Sequence, residues 1–231
     1  AIHHPGEPGG NACRDALATV EPRALRTFTP TQAAVAHSAG VYHWTPDGRR
    51  LFDLTSGVLV SNLGHNPARW TDRFLNYLGY GPDSRSAAGT TPGFFPAVPM
   101  TAYNAVTPIE VEASRRLLQL LRANAGGRRM ERVMWAASGS EAVQKALWAA
   151  QARDRSRPVI LATRFGFHGK KGLANAVTGS EADADRDPRV RFVSFPMSEC
   201  RDVSLRDHAF DPAPYRRELD ALLHQFGGRI G

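Results

Sequence analysis

The residues best suited to chemistry lie in Met134-Trp135-Ala136-Ala137-Ser138-Gly139-Ser140-Glu141-Ala142-Val143. Small residues at 138–140 let the backbone approach an anion closely. The N–H groups of a first helical turn then point at it, and the helix dipole favours negative charge there. Two serine hydroxyls add donors. The same residues read equally as an ordinary N-cap, with Ser138 or Ser140 closing a helix that binds nothing. A second candidate is Phe165-Gly166-Phe167-His168-Gly169-Lys170-Lys171-Gly172, a glycine-punctuated loop that carries an aromatic ring and an imidazole. A phosphate cradle with a loop-borne aromatic suits a ligand that has both a phosphate and a flat ring.

Both candidates need elements to position them. Arg132–Ala136 reads as a short buried strand ahead of the Ser-Gly-Ser turn. Glu141–Arg153 reads as an amphipathic helix after it, with Ala142, Ala146, Leu147, Ala150 and Ala152 available for packing. Pro158–Thr163 is a continuous apolar strand and Arg191–Phe195 another, as expected of a buried parallel sheet. Pro214–Phe226 is a helix, and the residues from Gly227 begin a further strand. Ile109–Asn124 is a helix stopped by Gly126-Gly127. Alternating strands and helices predict an α/β domain with a three-layer, mostly parallel sheet. Ligands of such sheets sit beyond the carboxyl ends of the strands, where both candidate loops fall.

The amino-terminal part is different in kind. Residues 1–12 are rich in Gly and Pro and read as an irregular arm, followed by weak helical character over Asp15–Leu25. Gly40–Thr55 is a hairpin turning at Pro46-Asp47-Gly48. The run from Ser56 to Pro67 is a loop whose apolar residues predict burial. Ala68–Leu78 is a helix with Trp70, Phe74 and Leu78 at core spacing. Residues 81–107 form a long loop, and the aromatics of Phe94-Phe95-Pro96 predict that it is ordered.

Composition bounds the function. The chain has 231 residues, 42% of them hydrophobic, and a formal charge of +7 carried almost wholly by arginine. The arginines are scattered in pairs, with no basic run interleaved with aromatics, which argues against a nucleic-acid partner. No run of eighteen apolar residues crosses a membrane, and the first residues carry no signal-peptide core. Cys13 and Cys200 are far apart, in keeping with a reduced cytoplasmic protein. His3-His4 lack further spaced ligands, so no metal site is expected. There is no P-loop, Gly-x-Gly-x-x-Gly, His-Glu-x-x-His, Cys-x-x-Cys or Gly-x-Ser-x-Gly motif.

Three blocks together resemble the class III aminotransferases, pyridoxal-phosphate enzymes of fold type I. They are Trp44–Arg49 through Asp53-Leu54-Thr55-Ser56-Gly57 to Leu63-Gly64-His65; Ala137-Ser138-Gly139-Ser140-Glu141-Ala142-Val143; and Phe167-His168-Gly169 followed by Thr178-Gly179-Ser180. The resemblance covers residues 30–231 and the first half of the family's pattern. It implies that Ser138, Gly139 and Ser140 bind the phosphate of pyridoxal 5'-phosphate, that Phe167 stacks on the pyridine ring and that His168 lines the same wall. It also implies that Ser56, Gly57 and Val58 lie on the substrate side, and that residues 1–66 belong to a small domain and 67–231 to an incomplete large cofactor-binding domain. The expected activity is amino-group transfer from an amine or amino acid to a keto acid or aldehyde, in a homodimer or with a complementary chain. The family's Gly-His-x-His-Pro is one histidine short at Gly64-His65-Asn66-Pro67. The family's Schiff-base lysine and its acidic partner match nothing here, since none of Lys145, Lys170 and Lys171 sits in that motif. The isolated chain is therefore expected to be inactive as a transaminase. A half-enzyme serving a complementary chain, and a basic anion-binding module, are the other readings.

Overall fold

A computed structural model describes residues 2–21, 32–82, 93–99, 101, 105–184, 186–201, 203–205 and 207–231. The chain divides into two compact units, Ala1–Ala105 and Val106–Gly231. Residues 22–25 of the expected first helix, and most of the long loop after residue 82, lie outside the described residues.

In the first unit, helix α1 (Pro8–Val20) replaces the irregular arm expected of residues 1–12. Its start is made by a tertiary contact. Asp47, at the hairpin turn, accepts from the N–H groups of Gly9 and Gly10 at 2.7 and 2.8 Å. A cap supplied from 37 residues away leaves no local signature. The hairpin forms as expected. Strands β1 (His37–Ala39), β2 (Tyr42–Trp44) and β3 (Arg50–Phe52) make an antiparallel sheet in that order, with Tyr42 opposite Phe52 and Trp44 opposite Arg50. Helix α2 (Ala68–Tyr77) also forms.

Its apolar face is not a core. Trp70 and Phe74 stack on each other at 4.9 Å, yet they remain 51% and 43% exposed. The apolar loop after Ser56 is exposed too, against the expected burial: Val58, Leu59, Val60 and Leu63 all face outward. Nothing apolar among the described residues covers the loop, and its anchors are polar. Of the two adjacent phenylalanines, Phe95 meets Tyr80 edge-on at 5.7 Å while Phe94 is exposed.

The second unit begins with helix α3 (Pro108–Arg122), capped by the Thr107 hydroxyl accepting from Glu110 N–H. Residues 131–136 have no regular secondary structure and form no ladder with another described strand, so the expected strand at 132–136 is not made. The apolar run is present, while the neighbour that a strand requires is absent among the described residues, and Met134 and Trp135 stay exposed. Helix α4 (Gly139–Arg153) follows, then strand β4 (Ile160–Thr163), helix α5 (Gly172–Ala176), strand β5 (Val190–Val193), helix α6 (Met197–Arg201) and helix α7 (Ala213–Phe226).

Strands β4 and β5 pair in parallel, Ile160 with Val190 through Thr163 with Val193. An isolated parallel bridge from Val159 to Ile230 begins a third position in this sheet. The core is Ile160, Ala162, Val177, Val190 and Phe192, with Val143, Leu147, Leu173 and Ala176 packed against it. Helix α4 thus buries Val143 and Leu147, whereas Ala142, Ala146, Ala150 and Ala152, expected to pack, are exposed. Among the described residues no helix is long and apolar enough to cross a membrane. Cys13 and Cys200 are both free and exposed.

Candidate functional site

The Ser-Gly-Ser turn is the N-terminus of α4. Ser138 is its N-cap, and its hydroxyl accepts from Glu141 N–H at 3.2 Å. Glu141 reciprocates by accepting from Ala137 N–H at 2.8 Å, so the two side chains satisfy two orphan donors between them. Glu141 also takes the Lys145 ammonium at 2.7 Å. Hydrogen bonding from Lys145, and then from Ala137 N–H, holds the Glu141 carboxyl below its usual range. Lys145 is held further by the Trp135 carbonyl at 2.7 Å, so it lies back along its own helix as expected. With the Ser138 hydroxyl engaged, the N–H groups of Gly139 and Ser140 have no partner among the described residues, and the space where a Gly139 side chain would stand is open.

The second loop leaves the carboxyl end of β4. Its shape depends on Thr178, whose hydroxyl oxygen accepts from His168 N–H at 2.8 Å and lies 3.1 Å from the Gly169 carbonyl and 2.9 Å from the Ala174 carbonyl. The backbones of Gly166 and Gly179 bridge, with Phe165 N–H donating to Gly179 O at 2.6 Å and Gly179 N–H to Gly166 O at 2.9 Å.

The two loops meet at Gly169. It is buried, its φ is +138°, and a Cβ built on it would stand 2.3 Å from the Ser140 hydroxyl oxygen and 2.9 Å from Ser140 Cα. No side chain fits there, which is why glycine stands at 169. A second tie lies one turn along α4, where Gln144 Oε1 accepts from Leu173 N–H at 2.7 Å. The bend at 138–140 and the Phe167-His168-Gly169 segment therefore share one edge of the sheet. His168 is half-buried, with its Nε2 folded back towards Gly166 and Thr163, whereas Phe167 offers an exposed ring with no aromatic partner among the described residues.

Arg164, the first residue after β4, was not singled out by sequence reasoning, although an arginine directly after an apolar strand is the available signal. Its guanidinium donates to both oxygens of Glu181 at 2.8 and 2.9 Å, to Ser194 Oγ at 2.9 Å and to Glu218 on α7. Hydrogen bonding by Glu181, and then by Glu218, raises its affinity for the proton above the ordinary value. Burial pushes Glu218 up, but hydrogen bonds from Arg164 and Ser194 outweigh it and leave the carboxyl below its usual range. This cluster fixes the start of the Phe167 loop to β5 and α7.

The third group of expected residues, Ser56, Gly57 and Val58, belongs to the first unit. With Leu59 they form a turn of left-handed backbone, φ running 53°, 58°, 61° and 67°. Only glycine adopts this without strain, so Ser56, Val58 and Leu59 carry a local cost. Asp53 holds the turn. Its Oδ1 accepts from the N–H and hydroxyl of Thr55, both at 2.8 Å, and its Oδ2 accepts from Gly57 N–H at 2.6 Å.

Comparison with solved structures finds a similar fold over most of the chain. A thermostable (S)-enantioselective omega-transaminase from Thermomicrobium roseum superposes with a TM-score of 0.66 at 20% identity, over 97% of this chain and 48% of that one. The fold is that of the transaminases. A taurine:2-oxoglutarate aminotransferase from Bifidobacterium kashiwanohense, solved with PLP and glutamate, gives 0.63 at 19% identity over 96% of this chain and 46% of its own. An amine transaminase from an uncultivated Pseudomonas species, in a PLP-bound form, gives 0.63 at 20% identity, covering 91% of this chain and 46% of that one. This chain thus spans about half the length of the solved transaminases it matches. Among curated proteins, a LysW-aminoadipate semialdehyde/glutamate semialdehyde transaminase of Pyrococcus abyssi is 36% identical over 44 residues, 19% of this chain and 12% of that protein. No protein-family model matches. At the level of fold, the α/β class and the resemblance to the aminotransferases are borne out.

Proposed function

We propose that this chain contributes the phosphate cradle and ring-stacking wall of a pyridoxal-phosphate-dependent aminotransferase, which moves an amino group from an amine or amino acid to a keto acid or aldehyde. The observation that carries the reading is the close approach of Gly169 to Ser140, with free helix-terminal N–H groups on one side and an exposed ring two residues away on the other. A phosphate suits the first feature and a pyridine ring the second. In this reading Gly139 N–H, Ser140 N–H and the Ser140 hydroxyl bind the phosphate, and Ser138 holds the helix start in shape. Phe167 stacks on the ring and His168 lines the same wall. Ser56, Gly57 and Val58 stand on the substrate side, where the strained turn keeps the Val58 side chain exposed.

When bound, the cofactor supplies the electron sink that amino-group transfer needs. The tether is a separate matter. Lys145 is held by Glu141 and the Trp135 carbonyl, and neither Lys170 nor Lys171 stands in a tethering motif. The lysine and the acidic partner of the pyridinium nitrogen therefore come from outside these residues, and the 231-residue chain alone does not transaminate. Residues 1–66 serve as the small-domain part and 67–231 as the large cofactor domain. The complete enzyme is read as a homodimer, or as a pairing with a complementary chain that carries the lysine. Two free cysteines suit a reducing cytoplasm.

Equilibrium titration of pyridoxal 5'-phosphate onto the chain tests the cradle, with inorganic phosphate as competitor. Gly139→Asp sets a carboxylate where the phosphate sits and should weaken binding by at least about tenfold. Phe167→Ala should cost about five- to tenfold, the worth of one stacked ring. Binding indifferent to both substitutions would remove the reading.

A further inference from the structure

Three potential metal ligands converge in the first unit, and none of them belongs to the two loops of the cofactor edge. His43 on β2, Asp53 after β3 and His65 offer one donor atom each within 4.8 Å of one another. His65 Nε2 lies 2.7 Å from Asp53 Oδ2, and His43 Nε2 lies 3.5 Å from the same oxygen. The two imidazoles are tilted against each other with centroids 4.5 Å apart, and both Nε2 atoms approach the same carboxylate oxygen.

The surroundings of these groups are as ordered as the groups themselves. His43 Nδ1 lies 2.6 Å from Ser38 Oγ, and His65 Nδ1 lies 3.4 Å from Ser61 Oγ. Each ring thus has a hydroxyl able to accept from Nδ1–H, the tautomer that leaves the Nε2 lone pair to a metal. Asp53 is oriented from behind by Thr55 and Gly57. The backbone that carries His65 is pinned to the hairpin, His65 N–H donating to Gly40 O at 2.8 Å and Gly40 N–H to His65 O at 2.9 Å. The side chains of His43, Asp53 and His65 are only 20%, 4% and 17% exposed.

We propose that His43, Asp53 and His65 form a binding site for a divalent first-row transition metal, zinc in the first instance. Two imidazole nitrogens and one carboxylate oxygen are a donor set that suits zinc and disfavours calcium or magnesium. Ligands about 2.0–2.1 Å from a tetrahedral ion are about 3.3 Å apart. The His43 separation already matches this, and the His65 contact opens by about half an ångström as its shared proton moves from Nε2 to Nδ1. Three protein ligands leave the fourth position to water. The ion ties β2 to the strained turn at Ser56–Leu59 through Asp53, and this is independent of whether the chain binds pyridoxal 5'-phosphate.

The test is calorimetric titration of ZnCl2 into the metal-stripped 231-residue chain, with cobalt(II) absorption as a reporter of low coordination number. One equivalent should bind, His43→Gln and His65→Gln should each weaken binding by about tenfold or more, and a His3→Gln/His4→Gln variant should bind as the parent does. Nitrogen-15 spectra of the unsubstituted protein give a reading that does not depend on the variants folding: zinc should shift the Nε2 resonances of His43 and His65. No saturable binding by a chain whose circular dichroism shows it folded, binding that survives both substitutions, or unmoved resonances would each show the cluster to be a hydrogen-bonded clamp only.

Discussion

At the scale of single residues, the cofactor edge depends on one missing side chain. Gly169→Ala places a methyl group inside the van der Waals envelope of Ser140 and forces alanine to a φ of +138°. Overpacking and backbone strain together should cost about 2 kcal/mol, read as a lowered urea midpoint, and should weaken pyridoxal 5'-phosphate binding by pushing Ser140 away. Gly139→Ala meets only open space and should leave stability within about 0.5 kcal/mol. The Ser-Gly-Ser and Phe-His-Gly words were legible because each needs its residue types locally. Their contact was readable only from the expected parallel-sheet topology, although among the described residues only the Phe-His-Gly loop follows a strand of that sheet. Asp53 was legible only as part of a matched block. The two histidines that face it lie 10 residues before and 12 after, a spacing that no local rule connects.

Arg164 makes a prediction about pH. The carboxyls of Glu181 and Glu218 both titrate below their ordinary value, chiefly through Arg164 for Glu181 and, for Glu218, against the opposing effect of burial. A depressed folded value means stability that is present above the unfolded carboxyl value, about 4.3, and lost as pH falls through the folded values. Glu181 is the more exposed partner and is screened by solvent, so Glu218 carries more of the effect. Arg164→Gln should cost about 1–2 kcal/mol at pH 7 and flatten the fall in stability below about pH 4. Urea titrations of both proteins at neutral and acid pH measure this. An equal acid slope in the two would show that the loss arises elsewhere.

Among the elements, helices were read more faithfully than strands. Helix α4 carries its own cap and charge pair, Ser138 with Glu141 and Glu141 with Lys145, so its start is written in contiguous residues. The strand expected at 132–136 depended on a neighbour that the described residues do not supply. The packing face of α4 was read correctly at Leu147, but several alanines offered a misleading apolar stripe, and the core takes Val143 with Leu147 while those alanines stay exposed. The start of helix α1 was missed for the opposite reason, that its cap is borrowed, while helical character was expected from Asp15 on. Asp47→Ala removes acceptors from two backbone N–H groups at once. It should cost about 1–2 kcal/mol and raise amide exchange at Gly9 and Gly10 more than at the carboxyl end of the helix.

For the whole molecule, apolar surface stays exposed beside a small core in the second unit. The buried hydrophobic residues gather around the β4–β5 pair and are few and mostly small, whereas Met134, Trp135, Trp148, Phe165 and Phe167 in the same unit are 59%, 45%, 62%, 73% and 70% exposed. Among the described residues the sheet of this unit is two paired strands with one bridge beside them. An open sheet position beside exposed apolar side chains favours association. The 231-residue chain alone should therefore bind the dye ANS, unfold with a denaturant slope well below that of a compact domain of its length, and sediment with a concentration-dependent weight average. Adding the polypeptide that supplies the missing lysine should abolish ANS binding and sharpen the transition in step with the gain of cofactor binding. If the chain proved monomeric, ANS-silent and cooperative by itself, the exposed rings would not be an interface, and the proposal that residues outside these 231 complete the site would fail while the cradle at Ser140 and Gly169 could still stand.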